Sequence, residues 1–341
     1  MEVKKRMVVA GAGSIGKRHA RLLAGRKDIS VELCDPDSGM LNAALAETGL
    51  LPVHHSFEKM LDSKPDMVLI ASPNKFHTEQ TLLSLKAGAH VLCEKPMSDR
   101  LDTAFHVLDY AKQSDRVLVY GFSNHFHPGI IRSREIIGNG GLGEILYAHF
   151  HIGTYGTLVN SKSRYQAETE DALLMDYVHQ PDLLWWILGK TPAGLYAAGS
   201  RGGTMALSSH PNSITILLDY NDPITASIHL DYIQYPDRYH FEFLGDLGWI
   251  YYDLIANILY VGDRNKTIVS KEVFEFERDT IYEKEHQAFL DVIAGKRLPE
   301  SSAGDAIQSM VFVEAAKQSW RTKKRVTWDE ALSSRHVKIS G

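Results

Sequence analysis

From residue 6 to about 121 the chain alternates short unbroken apolar runs with amphipathic stretches. The runs fall at 7–10, 30–34, 67–71, 89–93 and 117–121, and the segments between them (14–26, 38–48, 75–88 and 99–114) carry helical periodicity. Unbroken apolar strands separated by helices mark βαβ units, because crossovers cover both faces of a parallel sheet. Past residue 122 the strands lengthen, at 144–153, 213–219, 225–230, 239–244 and 249–252, with tight turns such as Asn221-Asp222-Pro223 and Gly245-Asp246-Leu247-Gly248 between several of them. Helices are expected at about 171–188, 280–295 and 303–321. The expected fold is α/β. It has an N-terminal Rossmann domain with a doubly wound parallel sheet over 1–122, and a C-terminal α+β domain over 123–341 on a large open mixed or antiparallel sheet.

The 341 residues, 44% hydrophobic and 23% charged, are enough for two well-filled domains. A net charge of −5 with no long like-charge block leaves no footprint for nucleic acid or an anionic membrane surface. No apolar run approaches the ~20 residues of a membrane-crossing helix, so a small-molecule partner is expected. The segment from Met1 to Arg6 lacks the apolar core of a signal peptide, and the two cysteines, Cys34 and Cys93, end apolar strands. A reducing cytoplasm fits both. Among the 16 histidines, His149-Phe150-His151 and His125-Phe126-His127 place pairs on one face of a strand, but no third ligand stands at a zinc-site spacing. No metal is expected.

Chemistry concentrates at the strand ends. Gly11-Ala12-Gly13-Ser14-Ile15-Gly16 follows the first strand and opens a helix, the context in which a GxGxxG run serves a dinucleotide. Its glycines allow a tight turn, close approach of a pyrophosphate and close helix–strand packing. The second strand ends at Asp35, nineteen positions past Gly16; a carboxylate there accepts ribose hydroxyls and repels a 2′-phosphate, which favours NAD(H) over NADP(H). Ser72 and Asn74 end the next long strand and can reach the ribose or the nicotinamide, with helix capping as the rival role. Glu94-Lys95-Pro96 ends the strand after that, where open α/β sheets bind ligands. Asp176 and His179 stand three apart on an expected helix and so share a face, and a histidine suits proton transfer near neutral pH.

GAGSIGKRHA at 11–20, DMVLIASPNKFHTEQTLLSLKAGAHVLCEKPMS at 66–98 and GFSNHFHPGI at 121–130 resemble the Gfo/Idh/MocA family, the glucose–fructose oxidoreductase and inositol dehydrogenase group. The likeness continues through 173–189, 228–253 and 282–296. It implies bound nicotinamide dinucleotide, a sugar, polyol or sugar-derivative substrate, and pairing of subunits into a homodimer or homotetramer through the C-terminal sheet. It also implies a catalytic set of Lys95, His179 and Asp176. The implied cofactor site holds Gly11, Gly13, Ser14, Ile15, Gly16, Asp35, Ser72, Pro73, Asn74, His77, Glu94 and Lys95, and a cis peptide before Pro96. Asn124, His125, Tyr155 and Arg164 are implied to face the substrate.

This chain departs from the family pattern in three places. Met175 stands where most members carry an aspartate four before the histidine. The carboxylate is instead at Asp176, a spacing similar to the LLDLSHE run of a nucleotide-sugar and surface-polysaccharide subgroup. Glu170-Asp171-Ala172 replaces a glycine run, and the two carboxylates are expected to cap the helix that follows, with contact to substrate hydroxyls as the rival role. His125 replaces a common arginine. The resemblance leaves two other activities open, NAD-dependent glycoside hydrolysis and a non-catalytic NAD-binding sensor.

Overall fold

The structure is a computed structural model and describes residues 4–160, 166, 169–205, 208–265 and 267–333. It divides into two compact units. The first runs to Phe126 and adds Glu277–Met310; the second comprises His127–Phe276 and the chain from Val311 onward.

The first unit is built on six parallel strands: β1 (Lys5–Ala10), β2 (Ile29–Cys34), β3 (Val53–His54), β4 (Met67–Ile70), β5 (His90–Glu94) and β6 (Leu118–Gly121). Their order is β3-β2-β1-β4-β5-β6. The chain winds one way from β1 to β3 and the other way from β4 to β6, so the order reverses between β1 and β4. Ligands of open α/β sheets sit outside the carboxyl ends at such a reversal. The apolar runs are buried as expected for a sheet covered on both faces: Met7, Val8, Val9, Met67, Val68, Leu69 and Ile70 are all fully inaccessible.

The boundary expected at 122/123 misses one return of the chain. The helix Asp279–Ile293, expected in the second domain, puts Phe289 into the same core as Met7, Val9, Leu23 and Leu33, with Leu290 and Ile293 against it. A little further on, Tyr120 N donates to Ser301 O at 3.1 Å, and the Ser301 hydroxyl donates to Tyr120 O at 2.5 Å. Apolar surface on this helix completes the first core, which decides where it belongs.

Among the described residues the second unit carries nine strands: β7 (Ile145–Gly153), β8 (Gly194–Ser200), β9 (Ser213–Asp219), β10 (Thr225–Asp231), β11 (Arg238–Gly245), β12 (Gly248–Asp253), β13 (Ile258–Asp263), β14 (Ser270–Val273) and β15 (Val326–Thr327). They form one sheet, β14-β13-β12-β11-β7-β10-β9-β8-β15, antiparallel throughout except for the parallel pair β7–β10. Strict alternation sorts its faces. Phe150, Ile216, Ile228 and Phe241 are buried on one, whereas His149, His151, Leu217, His229 and His240 stand on the other and are partly or largely open.

The helix expected over 171–188 is two helices, Ala172–Asp176 and His179–Leu188. Pro181 explains the break. It has no N–H for the carbonyl of Tyr177 four residues back, and its ring would collide with that carbonyl in a continuous helix. Tyr177 accordingly leaves helical geometry, with φ −102° and ψ 33°.

Candidate active site

The glycine turn is set by contact. Gly11 has φ +100°, and a Cβ there would lie 2.6 Å from the Ala71 backbone; a Cβ on Gly16 would lie 1.8 Å from Gly11 O. These two positions therefore exclude a side chain for the reasons expected, the tight turn and the close packing of helix α1 (Ser14–Ala24) on the strands. A Cβ on Gly13 would meet nothing within 4 Å. The first turn of α1 has no side-chain cap, so its N–H groups are available to an anion. Asp35 ties the turn together: Oδ2 accepts from Ala12 N at 2.8 Å and Oδ1 from Asp37 N at 2.9 Å. A glycine turn with an open middle, an uncapped helix start and a carboxylate at the end of β2 fits a dinucleotide.

The strand ends beyond β1 converge on the Lys95 loop. The Glu94 side chain is buried; Oε1 lies 3.0 Å from His19 Nε2 and Oε2 accepts from Lys95 N at 3.2 Å. Burial pushes the Glu94 carboxyl up, but the His19 bond and the charges of Lys95 and His77 outweigh it and hold it below its usual value. Glu285 behaves in the opposite way. Among the described residues neither of its buried carboxyl oxygens has a hydrogen-bond partner, and burial beside Glu94 raises its pKa well above the ordinary range. His19 Nδ1 continues the chain to His286 Nε2 at 2.7 Å. The Lys95–Pro96 peptide is cis.

His77 joins two loops. Its Nδ1 donates to Pro96 O at 2.7 Å and its Nε2 to Ser72 O at 2.8 Å. Carbonyl oxygens only accept, so both nitrogens must carry protons and the ring is cationic. Burial opposes that charge, but the Cys93 sulfur and the two carbonyls raise the pKa to about 9. Neither nitrogen is left for a ligand, so the sequence-based place of His77 among direct cofactor contacts becomes a place behind them. The Ser72 hydroxyl donates to Gln80 Oε1 at 2.6 Å, and Pro73 precedes the short 3₁₀ turn Asn74–Phe76 without a side-chain cap, so capping is not the use of these residues. His125 is buried and stacks on Phe122 at 5.9 Å in the turn Ser123–Phe126 that also holds Asn124.

In the second unit Asp176 closes the first of the two short helices and His179 opens the next. The two are not on one helical face. Asp176 Oδ2 accepts from the Tyr232 hydroxyl at 2.6 Å, and the Tyr232 ring lies 5.4 Å from Tyr177, whose hydroxyl is 3.1 Å from Thr157 Oγ1. Tyr177 and Tyr232 each stand between an aspartate and an apolar residue, a local pattern that carries no signal of this kind in the sequence. Tyr155 N donates to Gln234 O at 3.0 Å. Arg164 lies outside the described residues. The capping expected of Glu170 and Asp171 does not occur. Asp171 stands at the N-cap position with no side-chain cap bond, and its Oδ2 takes Arg321 Nη2 at 2.7 Å, with Glu170 3.3 Å from the same nitrogen. A nearby guanidinium outcompetes backbone amides for these carboxylates.

The first unit thus belongs to the class of Rossmann-type dinucleotide-binding proteins, joined to an α/β unit with a polar aspartate–tyrosine cluster. A family model for oxidoreductases with an NAD-binding Rossmann fold matches residues 5–122, and a second, for the C-terminal α/β domain of that oxidoreductase family, matches 134–328. The chain belongs to the Gfo/Idh/MocA oxidoreductase family. It is 38% identical over 143 residues to a D-glucoside 3-dehydrogenase of Escherichia coli K12, a match spanning 41% of each chain. It is 25% identical over 326 residues, 92% of each chain, to inositol 2-dehydrogenase 2 of Saccharopolyspora erythraea. The crystal structure of scyllo-inositol dehydrogenase from Lactobacillus casei with bound NAD(H) and scyllo-inositol shares the fold, with a TM-score of 0.80 at 20% identity over 96% of this chain and 100% of that one.

Proposed function

We propose that the chain is an NAD-dependent dehydrogenase acting on a secondary alcohol of a sugar, polyol or sugar derivative. The observation that carries this reading is the Lys95 loop, which leaves β5 at the carboxyl edge of the parallel sheet with Glu94 anchored on His19 and on the Lys95 amide. In the oxidation direction His179 takes the hydroxyl proton, and Lys95 lowers the cost of the alkoxide by charge and hydrogen bond. Asp176, held by the Tyr232 hydroxyl, orients His179 or a neighbouring substrate hydroxyl. The dinucleotide, when bound, supplies the hydride acceptor. Asp35 selects NAD over NADP, since it receives ribose hydroxyls and repels a 2′-phosphate.

The D-glucoside and inositol dehydrogenases among its relatives favour a cyclic polyhydroxy substrate. Asn124, His125 and Tyr155 are the side chains we assign to its hydroxyls. Copies of the chain pair through the open face of the nine-stranded sheet, where Tyr196, Leu217 and Leu244 are exposed. A panel of sugars, polyols and sugar acids with NAD, followed by NADH absorbance, tests the activity. At least one should raise absorbance in the wild type and not in Lys95→Ala; release of sugar from glycosides without net NADH would replace the reading by hydrolysis through transient oxidation.

A further inference from the structure

The open face of the nine-stranded sheet gathers imidazoles that are far apart in sequence. His149 and His151 share that face on β7 because side chains alternate along a strand. The register then places His229 of β10 and His240 of β11 directly beside His151. Asp231 follows two residues after His229 on the same face, so the third ligand missing from the sequence spacing comes from neighbouring strands. Two triads result, sharing His151: His149, His151 and His240, and His151, His229 and Asp231, with one donor atom from each residue within 4.8 Å of the others.

In the second triad both separations from the carboxylate are those of a coordination sphere. Asp231 Oδ2 lies 3.4 Å from His151 Nε2 and 3.2 Å from His229 Nε2. A tetrahedral ion with ligands at 2.0–2.1 Å sets them roughly 3.3–3.4 Å apart. The rings are also held from behind. His229 Nδ1 is 2.8 Å from Thr215 Oγ1, which turns Nε2 toward the carboxylate, and His149 Nδ1 is 2.8 Å from Ser227 Oγ. Metal-binding histidines are fixed in this way by a partner on the other ring nitrogen.

Asp231 is fixed too: Oδ1 accepts from Ile233 N at 2.9 Å and Gln234 N at 2.7 Å, which leaves Oδ2 for the rings. Its in-register partner on β7 is Gly153, where a Cβ would lie 2.3 Å from Oδ2. Only glycine gives this carboxylate room.

We propose that His151, His229 and Asp231 bind a divalent first-row transition-metal ion, zinc being the best fit, on the open face of the second unit. Two imidazole nitrogens and one carboxylate oxygen favour such an ion over calcium or magnesium, which take oxygen ligands. The ion would tie β7 to β10 on the face through which we propose that copies of the chain pair. It is independent of the dehydrogenase reading.

The test uses tag-free full-length protein stripped with EDTA and then titrated with Zn²⁺, with metal content measured after gel filtration and with Co²⁺ substitution read by visible absorption. One ion per chain is expected, together with the absorption bands of a low-coordinate cobalt site. His229→Gln should weaken zinc binding by more than the roughly 10–100-fold typical of an outer partner, and Thr215→Val should fall within that range. Both variants should keep wild-type circular dichroism and NADH affinity. Failure of the stripped wild type to take up stoichiometric zinc overturns the proposal. So does equally tight binding by His229→Gln, or loss of binding only on His240→Ala, which would place the ion in the other triad.

Discussion

Asp35 is one carboxylate to which we assign two uses. Its Oδ2 closes the glycine turn onto Ala12 N, and the same oxygens are what a ribose would meet. A hydrogen bond to a charged group is worth about 1.5–3 kcal/mol. Asp35→Ala should therefore weaken NADH binding by roughly 10- to 100-fold and leave NADPH binding unchanged or improved, as measured by fluorescence titration of both. Wild-type protein that binds NADPH as tightly as NADH would overturn the role given to Asp35. The glycines of the turn are legible in sequence because close approach demands them, as the absence of room for a Cβ at Gly11 and Gly16 shows; the roles of Asp35 and Lys95 rest on the proposed function. Glu285 is not legible in this way. A buried carboxyl without a partner looks, in sequence, like any glutamate on an amphipathic helix.

Elements were read well where periodicity alone decides them and poorly where a single residue interrupts it. Every strand of the parallel sheet except the two-residue β3 was expected from its apolar run. The break between Asp176 and His179 was missed although Pro181 announces it, because the apolar positions on both sides continue one helical period. Links between loops were invisible too. His77 connects the Ser72 carbonyl, at the end of β4, to the Pro96 carbonyl in the loop after β5, and nothing in its local sequence says so.

That link has a pH signature. A histidine with its folded pKa raised from 6.5 to about 9 contributes stability that is complete below pH 6.5 and is lost as pH rises through 9. The loss is on the order of 3 kcal/mol. Wild type should therefore exceed His77→Gln in stability at pH 6.5 by more than at pH 9. A pH-independent gap in denaturant melts would remove the charge from this histidine.

For the whole molecule, the partition of the chain was the least legible feature. The strand pattern changes after about residue 122, and the expected boundary follows it, but Glu277–Met310 returns to the first unit. A return of this kind depends on which core an amphipathic helix completes, and one helix reads alike for either. Phe289 is the residue that decides it, being buried among Met7, Val9 and Leu23. Phe289→Ala should cost about 3–5 kcal/mol, measured by denaturant unfolding, and should lower the melting temperature of the NADH-bound protein as well as that of the free protein. A loss under 1 kcal/mol would mean that the helix is a peripheral attachment.

The central claim is that hydride transfer from a polyhydroxy substrate depends on Lys95 and His179 together while dinucleotide binding does not. Single-turnover NADH formation in wild type, Lys95→Ala and His179→Ala, each saturated with NAD, measures it most directly. Each substitution should slow the chemical step by at least about 100-fold, the usual worth of positioned proton transfer, with the dissociation constant for NADH within about threefold of wild type. Near-normal rates in either variant would contradict the account.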